Sequence, residues 1–221
     1  MNKLTNPISL IKQSFGLFFK KENFIYFVKI SLPPLVLGAI QVLLFQKNLQ
    51  DGLYDLNYML FIPFVIAWSL VWVWYQAANL ESVIRVQGGG KLEFKDTYKK
   101  AWGYALRLFA VSLVAGLIVF GGLILLIVPG IVFSVWYAFP QFAVATKYLG
   151  VRAALSESKS LSKDKFWKTL GHLAVFVLFS IAGQIVFSIV PYGIGGVIAT
   201  VFGALFLLPY YLLYLELGDN S

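Results

Sequence analysis

The chain has no cysteine, so it has no disulfide, no thiol nucleophile and no cysteine-ligated metal. Histidine occurs once, at His172, and a lone imidazole does not make a metal site. Charge is scarce as well. Only 13% of residues are charged, against about 25% in an ordinary soluble domain. With 59% hydrophobic residues, a soluble chain would lack the polar surface to cover itself, and lipid removes that requirement. Acids are the scarcer charge, and the net charge is +8. A nucleic-acid partner is not expected from this excess, because the basic residues come in short bursts between long apolar runs, as at membrane flanks. The longest polar stretches, Glu81 to Arg107 and Lys147 to Lys168, are too short for a soluble catalytic domain. The polar start, Met1 to Pro7, does not read as a cleavable signal peptide.

What is present is a set of long apolar runs. A crossing needs roughly 20 apolar residues. Asn23 to Phe45 meets this length, with Lys29 near its start and Pro33-Pro34 kinking it. Tyr58 to Leu80 follows after a polar loop, Gln46 to Asn57. Leu108 to Thr146 has 39 residues without a charge, and as one helix it would be about twice as long as the membrane is thick. Pro129-Gly130 is a turn signal that divides it into Leu108 to Ile127 and Ile131 to about Lys147. The segment from Pro191 to Gly196 similarly divides Thr169 to Leu215 into Thr169 to Val190 and Val197 to Leu215.

The expected fold is therefore an all-α integral membrane protein with six transmembrane helices in three hairpins. Seventeen of the eighteen basic residues fall before or at the start of crossing one, between two and three, or between four and five. Lys47 alone falls on the other side. The positive-inside rule makes the crowded side cytoplasmic and puts both termini there, in the inner membrane of the cell. A single membrane domain spans residues 1–221, with candidate repeats 6–80, 94–149 and 151–215.

Each hairpin follows a basic amphipathic stretch. The first opens at Asn6-Pro7, a helix start, and has Ile8, Ile11, Phe15 and Phe18 at helical spacing. The second places Phe94, Tyr98, Trp102 and Ala105 on one face. The third places Val151, Ala154, Leu155, Ser158 and Leu161 opposite Arg152, Lys159 and Lys163. Such helices lie in the interface, apolar side toward the membrane. Ile11 to Ser14, Phe94 to Thr97 and Leu155 to Ser158 share one pattern: apolar, any, polar or acidic, hydroxyl. Each second helix also carries a proline, at Pro63, Pro140 and Pro209. Together these features suggest three copies of one unit.

The segment Val128-Pro-Gly-Ile-Val-Phe-Ser-Val-Trp-Tyr-Ala-Phe-Pro140 resembles the entry to a crossing in a bacterial inner-membrane family. That family includes the membrane domain of glycerophosphodiester phosphodiesterases and the uncharacterised YciC-like proteins. Ala154-Leu155, Ser158, Leu161, Lys163, Lys165, Phe166 and Trp167 are similar to its cytoplasmic stretch. Tyr210 to Tyr214 with Glu216 is similar to its closing helix. The resemblance implies a fold and a location, and no activity, since the phosphodiesterase domain is absent. One departure is clear. Thr146-Lys147 stands where that family often carries a glutamate at the end of the fourth crossing.

Catalytic motifs are met only on paper. Gly88-Gly-Gly-Lys91 lacks the first glycine and the hydroxyl residue of a phosphate loop and reads as a turn. Ser156-x-x-Lys159 and Ser160-x-x-Lys163 have no accompanying motif and read as a solvated helix face. No enzyme activity, cofactor or metal is expected. Two candidate sites remain. Lys95, Lys99, Lys100, Arg152, Lys159, Lys163, Lys165 and Lys168 are candidates to bind anionic lipid headgroups. Gln76, Asn79, Glu81 and His172 form a polar pocket if crossings two and five are neighbours; otherwise they are a polar border, with Glu81 paired to Arg85. The expected function is non-enzymatic organisation of lipid or a partner protein at the cytoplasmic face. The alternative is a small-solute or lipid transporter built from hairpin repeats.

Overall fold

The computed structural model describes residues 4–50, 58–190 and 194–219, with side chains throughout except at 42–50 and 58–61. The expected outer tips around 51–57 and Pro191 to Gly193 lie outside the described residues. Ten helices are described, and no strand among these residues: α1 Pro7–Phe18, α2 Lys21–Gln50, α3 Tyr58–Gln87, α4 Phe94–Trp102, α5 Ala105–Leu125, α6 Ile127–Trp136, α7 Pro140–Lys147, α8 Val151–Lys163, α9 Phe166–Ser188 and α10 Ile194–Asp219. Five helical stretches are long and apolar enough to cross a membrane: Lys21–Gln41, Ala105–Leu125, Ile127–Lys147, Phe166–Ser188 and Ile194–Asp219. The remaining long helix, α3, is not among them; it carries Gln76, Asn79 and Glu81 toward its end.

The long uncharged run does not break where the turn signal stands. Leu126 is the extended residue (φ −161°, ψ 147°), and Pro129 and Gly130 lie inside the first turns of α6. Proline is tolerated there because the first helical N–H groups have no partner to lose. Gly130 serves close packing instead. A Cβ on it would come within 2.9 Å of the Leu123 Cα, and one on Gly122 within 2.7 Å of the Phe133 ring. These two glycines let α5 and α6 fold tightly onto each other.

Prolines free carbonyls, and the short helices answer them. Pro140 has no N–H to offer Trp136, and the helix breaks between α6 and α7. Ser158 of α8 fills the gap: its hydroxyl donates to the Trp136 carbonyl at 2.7 Å and accepts from the Phe139 N–H at 3.1 Å. Pro34 likewise frees the Ile30 carbonyl of α2, and the Tyr98 hydroxyl of α4 donates to it at 2.7 Å. In an apolar surrounding, an unanswered carbonyl is costly, so these hydroxyls are part of how the kinked helices are tolerated.

Consecutive long helices pack as pairs, α2 with α3, α5 with α6, and α9 with α10. α4 packs on α2 and α3, and α8 on α6 and α7, so each short helix sits on the pair before it. α1 packs on α9 and α10, the last pair, which closes the arrangement into a ring. The shared hydroxyl positions Ser14, Thr97 and Ser158 are all fully buried. The proline part of the shared pattern is not in register: Pro140 and Pro209 stand seven residues before Lys147 and Glu216, whereas Pro63 stands eighteen before Glu81.

The α8 segment corrects an expectation. Its Ala154, Ser158 and Leu161 are buried against protein rather than turned toward the membrane, and Leu155 packs on the same core. The cause is the broken α6–α7 connection, whose free backbone groups draw Ser158 inward. Outward, α5 presents Leu106, Phe109, Leu113, Leu117, Phe120 and Ile124, all exposed and spaced three or four apart. A soluble surface rarely carries so continuous an apolar stripe.

Candidate functional site

At the basic end of the molecule, Glu81 is fully buried between two cations. Its Oε1 is 3.0 Å from Arg85 Nε and 2.9 Å from Lys100 Nζ. The Tyr104 hydroxyl donates to the Ala77 carbonyl at 3.0 Å and stands 3.4 Å from Glu81 Oε2. One carboxylate thus ties α3 to α4 and to the start of α5. Burial pushes the Tyr98 and Tyr104 phenols well above the ordinary tyrosine value, and for Tyr104 the nearby Glu81 adds to it. Both phenols therefore stay neutral donors.

Arg85 also donates to the Lys91 carbonyl at 3.0 Å, which closes the Gly88 to Lys91 turn. Gly89 has φ 65° there, a conformation glycine adopts freely. Beyond the turn, Lys91 pairs with Glu93, and the Glu93 carboxyl is held below its ordinary value by the Lys91 ammonium and by Asp96. Beside Arg85, a polar cavity of about 530 Å³ is lined by Lys20, Glu22, Asn23, Lys29, Gly89 and Gly90 among others.

The candidate headgroup residues divide into two sets. Lys95, Lys99, Arg152, Lys163 and Lys168 are exposed. Lys100 is engaged by Glu81, and Lys159 lies over the Trp136 ring at 4.3 Å. Lys165 is half-buried. Lys147, at the position where a glutamate was expected, meets Glu157 of α8 at 2.6 Å. The same tie exists there with its charges exchanged: the acid precedes the base in sequence at Glu81–Lys100, from α3 to α4, and the base precedes the acid at Lys147–Glu157, from α7 to α8. At the third junction Glu216 of α10 accepts from the Thr5 N–H at 3.0 Å, ahead of α1.

Of the four polar-pocket residues, the structure brings two together. Gln76 and Asn79 line one cavity of about 570 Å³ with Ser134, Gln141, Ser180 and Tyr210. Gln76, Ser134 and Gln141 also line a neighbouring, larger cavity of about 830 Å³ between α3, α5 and α6. Glu81 does not line either, being held by its cations. His172 is buried elsewhere, with Nδ1 2.7 Å from the Lys168 carbonyl and Nε2 2.7 Å from that of Thr5. Gln141 was not singled out from the sequence, although it is the only carboxamide in the uncharged run Leu108 to Thr146. That solitude was the available signal.

No family model matches the chain, and neither a curated protein nor a solved structure matches it.

Proposed function

We propose that this is a non-enzymatic, multi-pass inner-membrane protein that organises anionic lipid at its cytoplasmic face. In this reading α3 also crosses, as the second of six crossings, the three helix pairs are hairpins, and both termini are cytoplasmic. The observation that carries it is the outward set Lys95, Lys99, Arg152, Lys163 and Lys168, on or beside α4 and α8, at the ends of helices whose flanks are apolar. Each basic residue near an anionic leaflet contributes about 1 kcal/mol, fading within a Debye length. The bacterial family resembling the phosphodiesterase membrane domain is the proposed kinship, on the motifs given above.

The test uses spin-labelled phosphatidylglycerol and phosphatidylcholine around the full chain in nanodiscs. The expected result is preferential immobilisation of the anionic lipid, lost when the five exposed cations become glutamine. Equal immobilisation of both lipids by the unmodified protein would overturn the proposal. Impermeant labelling of Ser160→Cys in intact cells would overturn the orientation. Transport of a small solute or lipid is a second reading, favoured by the adjoining cavities among α3, α5, α6, α9 and α10.

A further inference from the structure

The two adjoining cavities combine features that point to one ligand chemistry. No charged side chain lines either of them. Three carboxamides converge where they meet: Gln76 faces both, Gln141 faces both, and Asn79 faces the smaller. Asn79 is only 6% exposed, yet its amide has no hydrogen-bond partner among the described residues. Gln76 has none there either, and Gln141 uses one N–H on the Ala138 carbonyl at 3.0 Å. Gln76 is exposed and Gln141 half-buried, and these amides open onto the cavity space with donors to spare, which suits a group that accepts hydrogen bonds and carries no charge.

The larger cavity supplies a place for an apolar tail. Its α5 wall is a second stripe, Leu108, Ser112, Ala115, Val119 and Leu123, turned from the outward one. That wall is about 22 Å long at the helical rise, longer than half the hydrocarbon thickness. Phe109 and Phe120 line the cavity and are also exposed on the outer stripe. The cavity's rim therefore lies on the surface that would face lipid, and a chain can enter sideways without crossing a charged layer. Gly116 lies on this wall with open space where a side chain would stand.

We infer that the joined cavities hold one acyl chain of an ester-linked membrane lipid, the chain lying along α5 and its ester carbonyl accepting from Gln76, Asn79 and Gln141. A phosphate or a carboxylate is disfavoured at the junction because no cation lines it. The occupant is thus recognised by its uncharged linkage, and headgroup charge is read elsewhere, at the basic end. The inference goes beyond the proposed function but rests on its membrane placement.

The test is photolabelling of the full chain in nanodiscs with phosphatidylcholine carrying a diazirine in one acyl chain, read by peptide mass spectrometry. Label is expected on both α5 stripes. No label on Leu113 and Leu117 would remove the membrane placement; label there with none on Ser112, Ala115 or Val119 would remove the inference alone and leave the cavities filled with water. Gly116→Phe should abolish label on the inner stripe and leave the outer one unchanged, with Leu117→Phe as the control. Gln76→Leu with Asn79→Leu should lower co-purified lipid about tenfold. An ether-linked analogue should label the inner stripe several-fold less. Equal inner labelling by ester and ether lipids, or stronger retention of a free fatty acid, overturns the assignment. Should the variants fail to fold, the ester and ether comparison on the unmodified chain still decides it.

Discussion

α4 and α8 look alike as sequence and occupy different surroundings. Both are short, basic and amphipathic, and both lend a hydroxyl to a carbonyl that a proline set free. Yet α4 leaves Phe94 and Trp102 exposed, Trp102 at 69%, while α8 exposes no large hydrophobic residue. α4 has apolar surface left for lipid. α8 has spent its apolar stripe on protein and offers lipid only cations. Amphipathicity in a sequence says that a face is buried, and does not say whether lipid or protein buries it.

The ties at the two junctions offer the sharpest way to break this pair apart. Glu81 is fully buried, whereas Lys147 and Glu157 keep 57% and 18% of their side-chain surface. Glu81→Leu should destabilise the fold by about 3 kcal/mol, the lower end for breaking a buried ion pair, because Lys100 and Arg85 retain some solvent. Glu157→Gln should cost less than about 1 kcal/mol. Unfolding midpoints in mild detergent measure both, and equal losses would contradict the difference in burial.

Ser158→Ala comes next, at about 2 kcal/mol, since it strands a donor and an acceptor at the α6–α7 break. Tyr98→Phe strands only the Ile30 carbonyl and should cost about 1 kcal/mol. The order of the two, read in the same melts, is the point of the comparison. A third measurement concerns lipid. Hydrogen exchange in α8 should be equally slow in anionic and neutral nanodiscs, because protein covers it, while α4 should be better protected in the anionic ones. Lipid-dependent protection of α8 would mean that its packing is weaker than its burial implies.

The smallest effect lies just ahead of α4. The Glu93 carboxyl is held below its ordinary value of 4.5, so its contribution is present above that value and is lost as pH falls through the lower, folded one. The Glu93 carboxyl resonance, followed from neutral to acid pH, should therefore titrate below 4.5 in the folded protein. Replacing Lys91 with Met should move it back toward the ordinary value, with no matching change in α8.

Much of the architecture was legible because lipid imposes a simple rule on composition. Charge-free runs gave the long helices, and Asn6-Pro7 gave the start of α1, where the Asn6 carboxamide accepts from the Ile8 N–H at 2.9 Å. The Glu81–Arg85 pair was legible from its spacing of four. Lys100 as a second partner was not, because that contact crosses from α3 to α4. Pro129-Gly130 was misread as the break, since a turn signal and a first helical turn use the same residues. Of the polar-pocket group, Gln76 and Asn79 share a cavity because they lie about one turn apart on one helix, while the placement of His172 depends on where Thr5 goes, 167 residues away.

The closed ring also sets a schedule for synthesis. α1 emerges from the ribosome first, but its docking surface on α9 and α10 is translated last. At 5–20 residues per second, roughly 10–40 s pass between the two. During that interval α1, whose Leu10, Ser14 and Phe18 are fully buried in the finished protein, lacks its α9 and α10 partners, and Phe18 meets the Phe24 and Phe27 rings of α2 before it meets Phe202 of α10. A newly made α1 therefore holds its apolar stripe without its final partners until the last helix pair is complete, so its burial reports that the whole ring has closed.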